Sequence, residues 1–268
     1  MKRIKKLIFA LPLFIFSSCS NNEVELTPEQ AAAAADAIAF GETYLLLAEA
    51  CPVCTFNPWG QIGLVGAATV LSADASGGFG RSMNEPRTNG KLVDISLEQN
   101  FILSNNIFEL YGNKHNVGLD FLNKLPNLQD FSEKIHNYDD SAWIALLNVE
   151  FPEISLAEKN NVIQFARDND IVNKLKLKNG VFDERDQHPF ETYINKSSFS
   201  SSAKLELSSI INEYNSLLNN KTTYADELDY INLQINSRLK IENDYTVEEA
   251  AFLSLLTVLK HSTFYWYK

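Results

Sequence analysis

Basic residues are scarce in this chain. Its 268 residues include 23 Lys plus Arg against 34 Asp plus Glu, a formal charge of −11 at pH 7. A surface of that sign is repelled by phosphate backbones, which argues against nucleic acid as a partner. Glycine and proline number only 11 and 8, too few for a collagen-like or linker-dominated chain. No apolar run reaches the roughly eighteen residues that a membrane-spanning helix needs. Missing too are G-x-S-x-G, H-E-x-x-H, the phosphate-binding P-loop and the dinucleotide fingerprint, so no complete catalytic set is present and no cofactor is expected. What remains is 45% hydrophobic and 21% charged, ordinary for a globular core of one sizeable domain or a small pair.

The N-terminus carries an address. Lys2, Arg3, Lys5 and Lys6 precede an apolar stretch from Leu7 to Phe16, and Ser17-Ser18-Cys19 closes it with small residues and a cysteine. This is a secretion signal by its layout. It resembles a bacterial lipoprotein leader, which implies that Cys19 is lipidated and becomes the new N-terminus; a simple cleaved signal is the alternative. Losing the leader leaves 19 basic residues against 34 acidic ones, a formal −15. Each buried CH₂ of an acyl chain contributes about 0.8 kcal/mol, so a lipidated cysteine holds the protein to a bilayer without a spanning helix. Residues 20–26 then read as a solvated tether.

Only three cysteines exist in the chain, and lipidation of Cys19 leaves Cys51 and Cys54 in Cys51-Pro52-Val53-Cys54. An oxidising compartment favours joining these two as a disulfide. A redox couple and a metal site are the other readings, weakened by the lack of a following helix N-terminus and of a second ligand pair.

The rest of the pattern is helical, and the expected fold is an all-α, irregular helical domain. Residues 27–75 read as an N-terminal helical hairpin, 76–90 as a Gly- and Pro-containing loop, and 91–268 as the helical body. Thr27-Pro28-Glu29-Gln30 opens an alanine-rich helix to about Ala50. Gly60 to Ala75 is small and apolar, so a helix there needs close contact with a neighbour, expected to be the first helix. Residues 91–110 fit helix or strand equally. Apolar spacing at Leu128, Phe131 and Ile135, then at Trp143, Leu146 and Leu147, and a capping box at Ser155 to Glu158 predict helices. In the C-terminal third, Ala203, Leu207, Ile210, Tyr214 and Leu217 step by four and three, as do Leu228, Ile231, Ile235 and Leu239, which predicts a helical hairpin. Thr246-Val247-Glu248-Glu249 caps a third helix, apolar on nearly every side and therefore central.

Two polar clusters bear on chemistry. Tyr111 to Leu122 places His115, Leu119 and Leu122 on one helix face, with Asn116 and Asp120 one turn apart and able to hydrogen-bond. It reads first as a helix start with structural polar residues and second as a polar site built on His115 and Asp120. Ser254, Thr257, His261 and Tyr265 form a stripe along the last helix. An internally satisfied network is the plainer reading, and a pocket with His261 facing His115 or Asp74 the sharper one. Ser201-Ser202-Ala203-Lys204 fits the S-x-x-K of penicillin-binding enzymes, but its companions are out of order, so it reads as the first turn of an amphipathic helix.

Gly112, His115, Asn116, Leu119 and Asp120 spell G-x-x-H-N-x-x-L-D. With Ala73-Asp74-Ala75-Ser76-Gly77 and the Ser262, Tyr265, Trp266 spacing, the chain resembles a group of bacterial proteins of unassigned activity. The resemblance implies no reaction, only that Asp74, His115, Asn116, Asp120 and His261 form one cluster. The leading functional expectation is a lipid-anchored, extracytoplasmic binding or structural component of a Gram-negative envelope, in the outer membrane, facing the periplasm or the surface, with an envelope protein as its partner. The alternatives are a hydrolase or metal-dependent enzyme using His115, Asp120, His261 and Asp74, and a membrane-active toxin-like protein whose Gly60 to Ala75 segment inserts.

Overall fold

Capping and apolar spacing decide where the helices begin, and burial decides how they stack. The computed structural model describes residues 28–50, 60–70, 107–172, 194–195, 197–219, 224–240 and 244–266. Among these, nine helices and no strand are found. We number them α1 (Pro28–Ala50), α2 (residues 60–70), α3 (Ile107–Asn123), α4 (Leu128–His136), α5 (Asp140–Glu150), α6 (Leu156–Asp168), α7 (Ser201–Asn219), α8 (Tyr224–Asn236) and α9 (Val247–Trp266). The all-α expectation is met.

Both capping boxes form as their residues dictate. Ser155 accepts from the backbone N–H of Glu158 while the Glu158 carboxylate accepts from the N–H of Ser155. Thr246 and Glu249 do the same ahead of α9, at 3.2 and 2.8 Å. Two otherwise unpaired N–H groups are satisfied at each helix start.

The two most uniformly apolar helices, α1 and α9, make the most extensive contact. A helix without a polar face has to be covered on all sides, and α9 is covered by α1, α3 and α8. At Gly41 a Cβ would sit 3.0 Å from Leu255 Cβ and 3.0 Å from the Phe199 ring, so glycine lets the two helices approach here. Beyond α3 lie α5, then α6 and α4; α7 packs on α8. Trp143, Leu146 and Leu147 are fully buried on α5, and the Trp143 indole N–H donates to the Ile135 carbonyl at 3.1 Å, tying α5 to α4. No helix of the described residues is long and apolar enough to cross a membrane.

The small-residue run forms a buried helix over residues 60–70, and a Cβ at Gly63 or Gly66 would meet Val162 of α6 and Trp143, Leu146 and Glu150 of α5. The bulk of the Trp143 ring, 3.3 Å from a Cβ at 66, is what the small residues accommodate. Leu239 does not extend α8: the helix ends at Asn236, and Leu239 is exposed in the turn that follows. The ambiguous stretch 91–110 resolves as helix from Ile107 onward; residues 91–106, like the leader, the tether, the 76–90 loop, Cys19, Cys51, Cys54 and Asp74, lie outside the described residues.

Candidate functional site

Of the polar residues singled out in the sequence, His115, Asn116 and His261 come together where α3 crosses α9. His115, Leu119 and Leu122 all have no exposed surface, as the shared face requires. The His115 ring stands edge-on to Phe40 of α1, centroids 5.8 Å apart, and its Nδ1 faces Asn116 Oδ1 at 3.5 Å. A side-chain amide oxygen only accepts, so Nδ1 carries the proton and Nε2 holds a bare lone pair. That Nε2 is buried and has no partner among the described residues. Burial, reinforced by the nearby charge of His261 and only partly offset by Asn116, brings the His115 pKa down to about 3. The imidazole is therefore neutral throughout the physiological range.

Asn116 bridges the two helices. Its Nδ2 donates to the backbone carbonyl of His261 at 2.6 Å, and its Oδ1 accepts from Ser262 Oγ at 3.5 Å. The expected Asn116–Asp120 hydrogen bond is not made. Asp120 instead pairs with Lys124 one turn on, at 2.5 Å on the partly exposed side of α3. A position five residues beyond His115 lies about 140° around a helix, which separates the two. The His115–Asp120 pair is thus not assembled.

His261 has a different carboxylate partner. Its Nε2 donates to Glu109 Oε2 at 2.9 Å, and Lys260 Nζ donates to Glu109 Oε1 at 2.7 Å. Burial alone would raise the Glu109 pKa. The hydrogen bonds and positive charges of His261 and Lys260 outweigh it and bring the carboxyl down to about 2. Glu109 went unnoticed in the sequence because it falls in the stretch whose period was ambiguous. The remaining stripe residues have partners too: Ser254 and Thr257 donate to the carbonyls of Ala250 and Leu253 one turn back, and Tyr265 accepts from Asn123 Nδ2 of α3 at 3.0 Å. The internally satisfied network is therefore what α9 contains.

A second buried group lies one layer away. Glu150, the last residue of α5, has no exposed surface, and neither carboxylate oxygen has a hydrogen-bond partner among the described residues. Burial pushes its pKa up to about 8, against smaller opposing effects of Thr69 and Lys114. A sequence signal existed: Glu150 continues the Trp143, Leu146 and Leu147 stripe, so an acidic residue falls on an apolar face.

An open cleft of about 400 Å³ lies between α7, the segment that follows α8, and α9, with Glu206, Arg238, Lys240, Glu248 and Phe252 among its lining residues. Its charges are already answered. Arg238 pairs with Glu206 and lies over the Phe252 ring at 5.5 Å, Lys240 reaches Glu249 at 2.7 Å, and Glu248 accepts from the Ser200 N–H at 2.6 Å. Lys204 of the S-x-x-K segment donates to the Asn195 carbonyl at 2.9 Å, as a plain helix-surface lysine does. No three His, Cys, Asp or Glu side chains gather as a metal site among the described residues.

Compared with protein-family models, with curated proteins and with solved structures, the chain has no match.

Proposed function

We propose that the chain is a lipid-anchored helical protein of a Gram-negative cell envelope, acting as a binding or structural component rather than through an acid–base site at His115. The observation that carries this reading is the order of the N-terminus: a basic leader, an apolar stretch, Ser17-Ser18-Cys19, and then an acidic chain. Acyl chains on Cys19 supply membrane attachment, and the formal −15 of the body keeps it standing off an anionic lipid surface. The polar residues of the α3–α9 crossing support the reading from the other side. His115 is sealed and neutral, His261 is held by Glu109, and Asn116 is spent on the His261 backbone. These are joints between helices, and a general base needs a path to its substrate.

Fractionating cells that express the wild type and Cys19→Ala tests the proposal. Wild type is expected in the membrane fraction and released by detergent, and the variant in the soluble or precursor pool. Wild type in the soluble fraction, or a variant equally membrane-bound, contradicts it.

A further inference from the structure

Glu150 sits at a junction built around it. Its carboxyl lies where a Cβ at Gly118 of α3 would stand, 2.3 Å from Oε1, and 3.5 Å from where a Cβ at Gly66 of α2 would reach Oε2. Two glycines on two different helices thus leave the room this side chain fills. Thr69 of α2 stands beside the carboxyl, with its methyl 2.6 Å from the same Gly118 position, but its hydroxyl proton is given to the Val65 carbonyl at 2.8 Å. Turned toward Glu150 instead, that proton lowers the carboxyl's pKa, by less than burial raises it. Among the described residues the charged group that bears on Glu150 is Lys114 of α3. Lys114 is itself engaged by Glu153 at 3.0 Å and lies over the Phe151 ring at 4.9 Å. Gly66 and the uncharged Thr69 of α2 lie beside it, and a Cβ at Gly66 would meet Trp143 and Leu146 of α5 as well as the carboxyl.

A fully buried carboxylate with at most the Thr69 hydroxyl to bond it costs far more than a neutral carboxylic acid, which carries a proton of its own to give. We propose that Glu150 is a proton-held latch: the closed packing of α2 against α3 and α5 carries a neutral Glu150, and loss of that proton loosens helix 60–70 from the body. Glu150 lies between Gly66 of α2 and Gly118 of α3, so the carboxyl's charge state bears directly on how closely α2 can sit.

The sign follows from linkage. When the segment opens, Glu150 meets water and regains its ordinary affinity for protons, near 4.5; closed, it titrates near 8. Opening therefore releases a proton at intermediate pH. The opening equilibrium rises about tenfold per pH unit between these two values and levels off above the higher one.

Hydrogen-exchange protection factors for amides 60–70, measured on the full mature chain from pH 5 to 9 and corrected for intrinsic exchange, read this directly. The wild type should lose protection in that segment about tenfold per pH unit up to about pH 8, while α9 amides change far less. In Glu150→Gln the slope should vanish. Replacing Lys114, the cation bearing on the site, with Met should carry the plateau to higher pH. Protection of 60–70 that is flat with pH in the wild type, or equally steep in Glu150→Gln, overturns the proposal. If the Gln variant does not fold, a carbon-13 titration of the Glu150 side chain in the wild type still decides. A midpoint well above 7 upholds the latch, and one near 4.5 overturns it.

Discussion

The His261 ring fills the space that a side chain at Gly112 would occupy: a Cβ there would be 2.4 Å from His261 Cδ2 and 2.8 Å from the Thr257 carbonyl oxygen. In an ordinary helix interior Gly→Ala is worth up to about 1 kcal/mol of stabilisation. Here the sign reverses, since one of the colliding atoms is backbone. Gly112→Ala is expected to cost about 1–3 kcal/mol and to lower the unfolding midpoint in a denaturant titration. An unchanged or higher midpoint would mean that α3 and α9 do not approach this closely.

Gly118→Ala makes the same point on the other side of α3. Its Cβ would overlap Glu150 Oε1 at 2.3 Å and the Thr69 methyl at 2.6 Å. A loss of about 1–3 kcal/mol is expected. Combining it with Glu150→Ala, which vacates the space, should recover part of the loss. The double-mutant cycle measures that coupling, and strict additivity would contradict the contact.

Acid lability has two named sources. The folded His115 titrates near 3, against an ordinary 6.5, so the stability of its neutral form is complete above 6.5 and declines as pH falls toward 3. Glu109 titrates near 2, against 4.5, so its contribution is complete above 4.5 and declines as pH falls toward 2. Between pH 6.5 and 4.5 the protonation of buried Glu150, which titrates near 8, offsets the His115 loss, so thermal unfolding scans of the wild type should show the fall concentrated below about pH 4.5. A smaller loss is expected for His115→Phe, whose ring takes no proton in either state. Glu109→Gln should be less stable at pH 7 by about 1–3 kcal/mol, because the negative charge is lost and one of Lys260 and His261 faces an NH₂ in place of an acceptor, yet fall less below pH 4.5. Parallel curves for all three proteins would remove this account.

Ser155→Ala strips the N-cap of α6 and leaves the Glu158 N–H without its acceptor. The expected cost is about 1 kcal/mol. Ser155→Asp, which keeps an acceptor and adds favourable charge at the helix start, should restore it. Equal stability of the Ala variant and the wild type, by chemical denaturation, would say the box is idle.

Much of this architecture was legible in the residues, for local reasons. Ser155 with Glu158 and Thr246 with Glu249 announce helix starts because a short polar side chain and a returning carboxylate are a self-contained solution. Ala203, Leu207, Ile210 and Tyr214 mark the buried face of α7 because four-and-three spacing allows only one face. Leu239 misled because an apolar residue in register says nothing of where the backbone stops: the chain leaves the helix after Asn236. The candidate site was legible in part. His115, Asn116 and His261 do meet at one crossing, whereas Asp120 turns away to Lys124. Glu109 was invisible because its partners are about 150 residues away in sequence. Glu150 was visible as an acid on an apolar stripe, but the cavity that holds it is made by glycines on other helices, and no single segment encodes that.

The account rests most heavily on the chemistry of Cys19, which intact-mass and N-terminal peptide mass spectrometry of the protein purified from membranes measures directly. The expected product begins at Cys19, lacks residues 1–18, and carries the added mass of a diacylglycerol with or without a further acyl chain. A product that retains the leader, or one cleaved elsewhere with an unmodified Cys19, would contradict the envelope anchor and the function built on it.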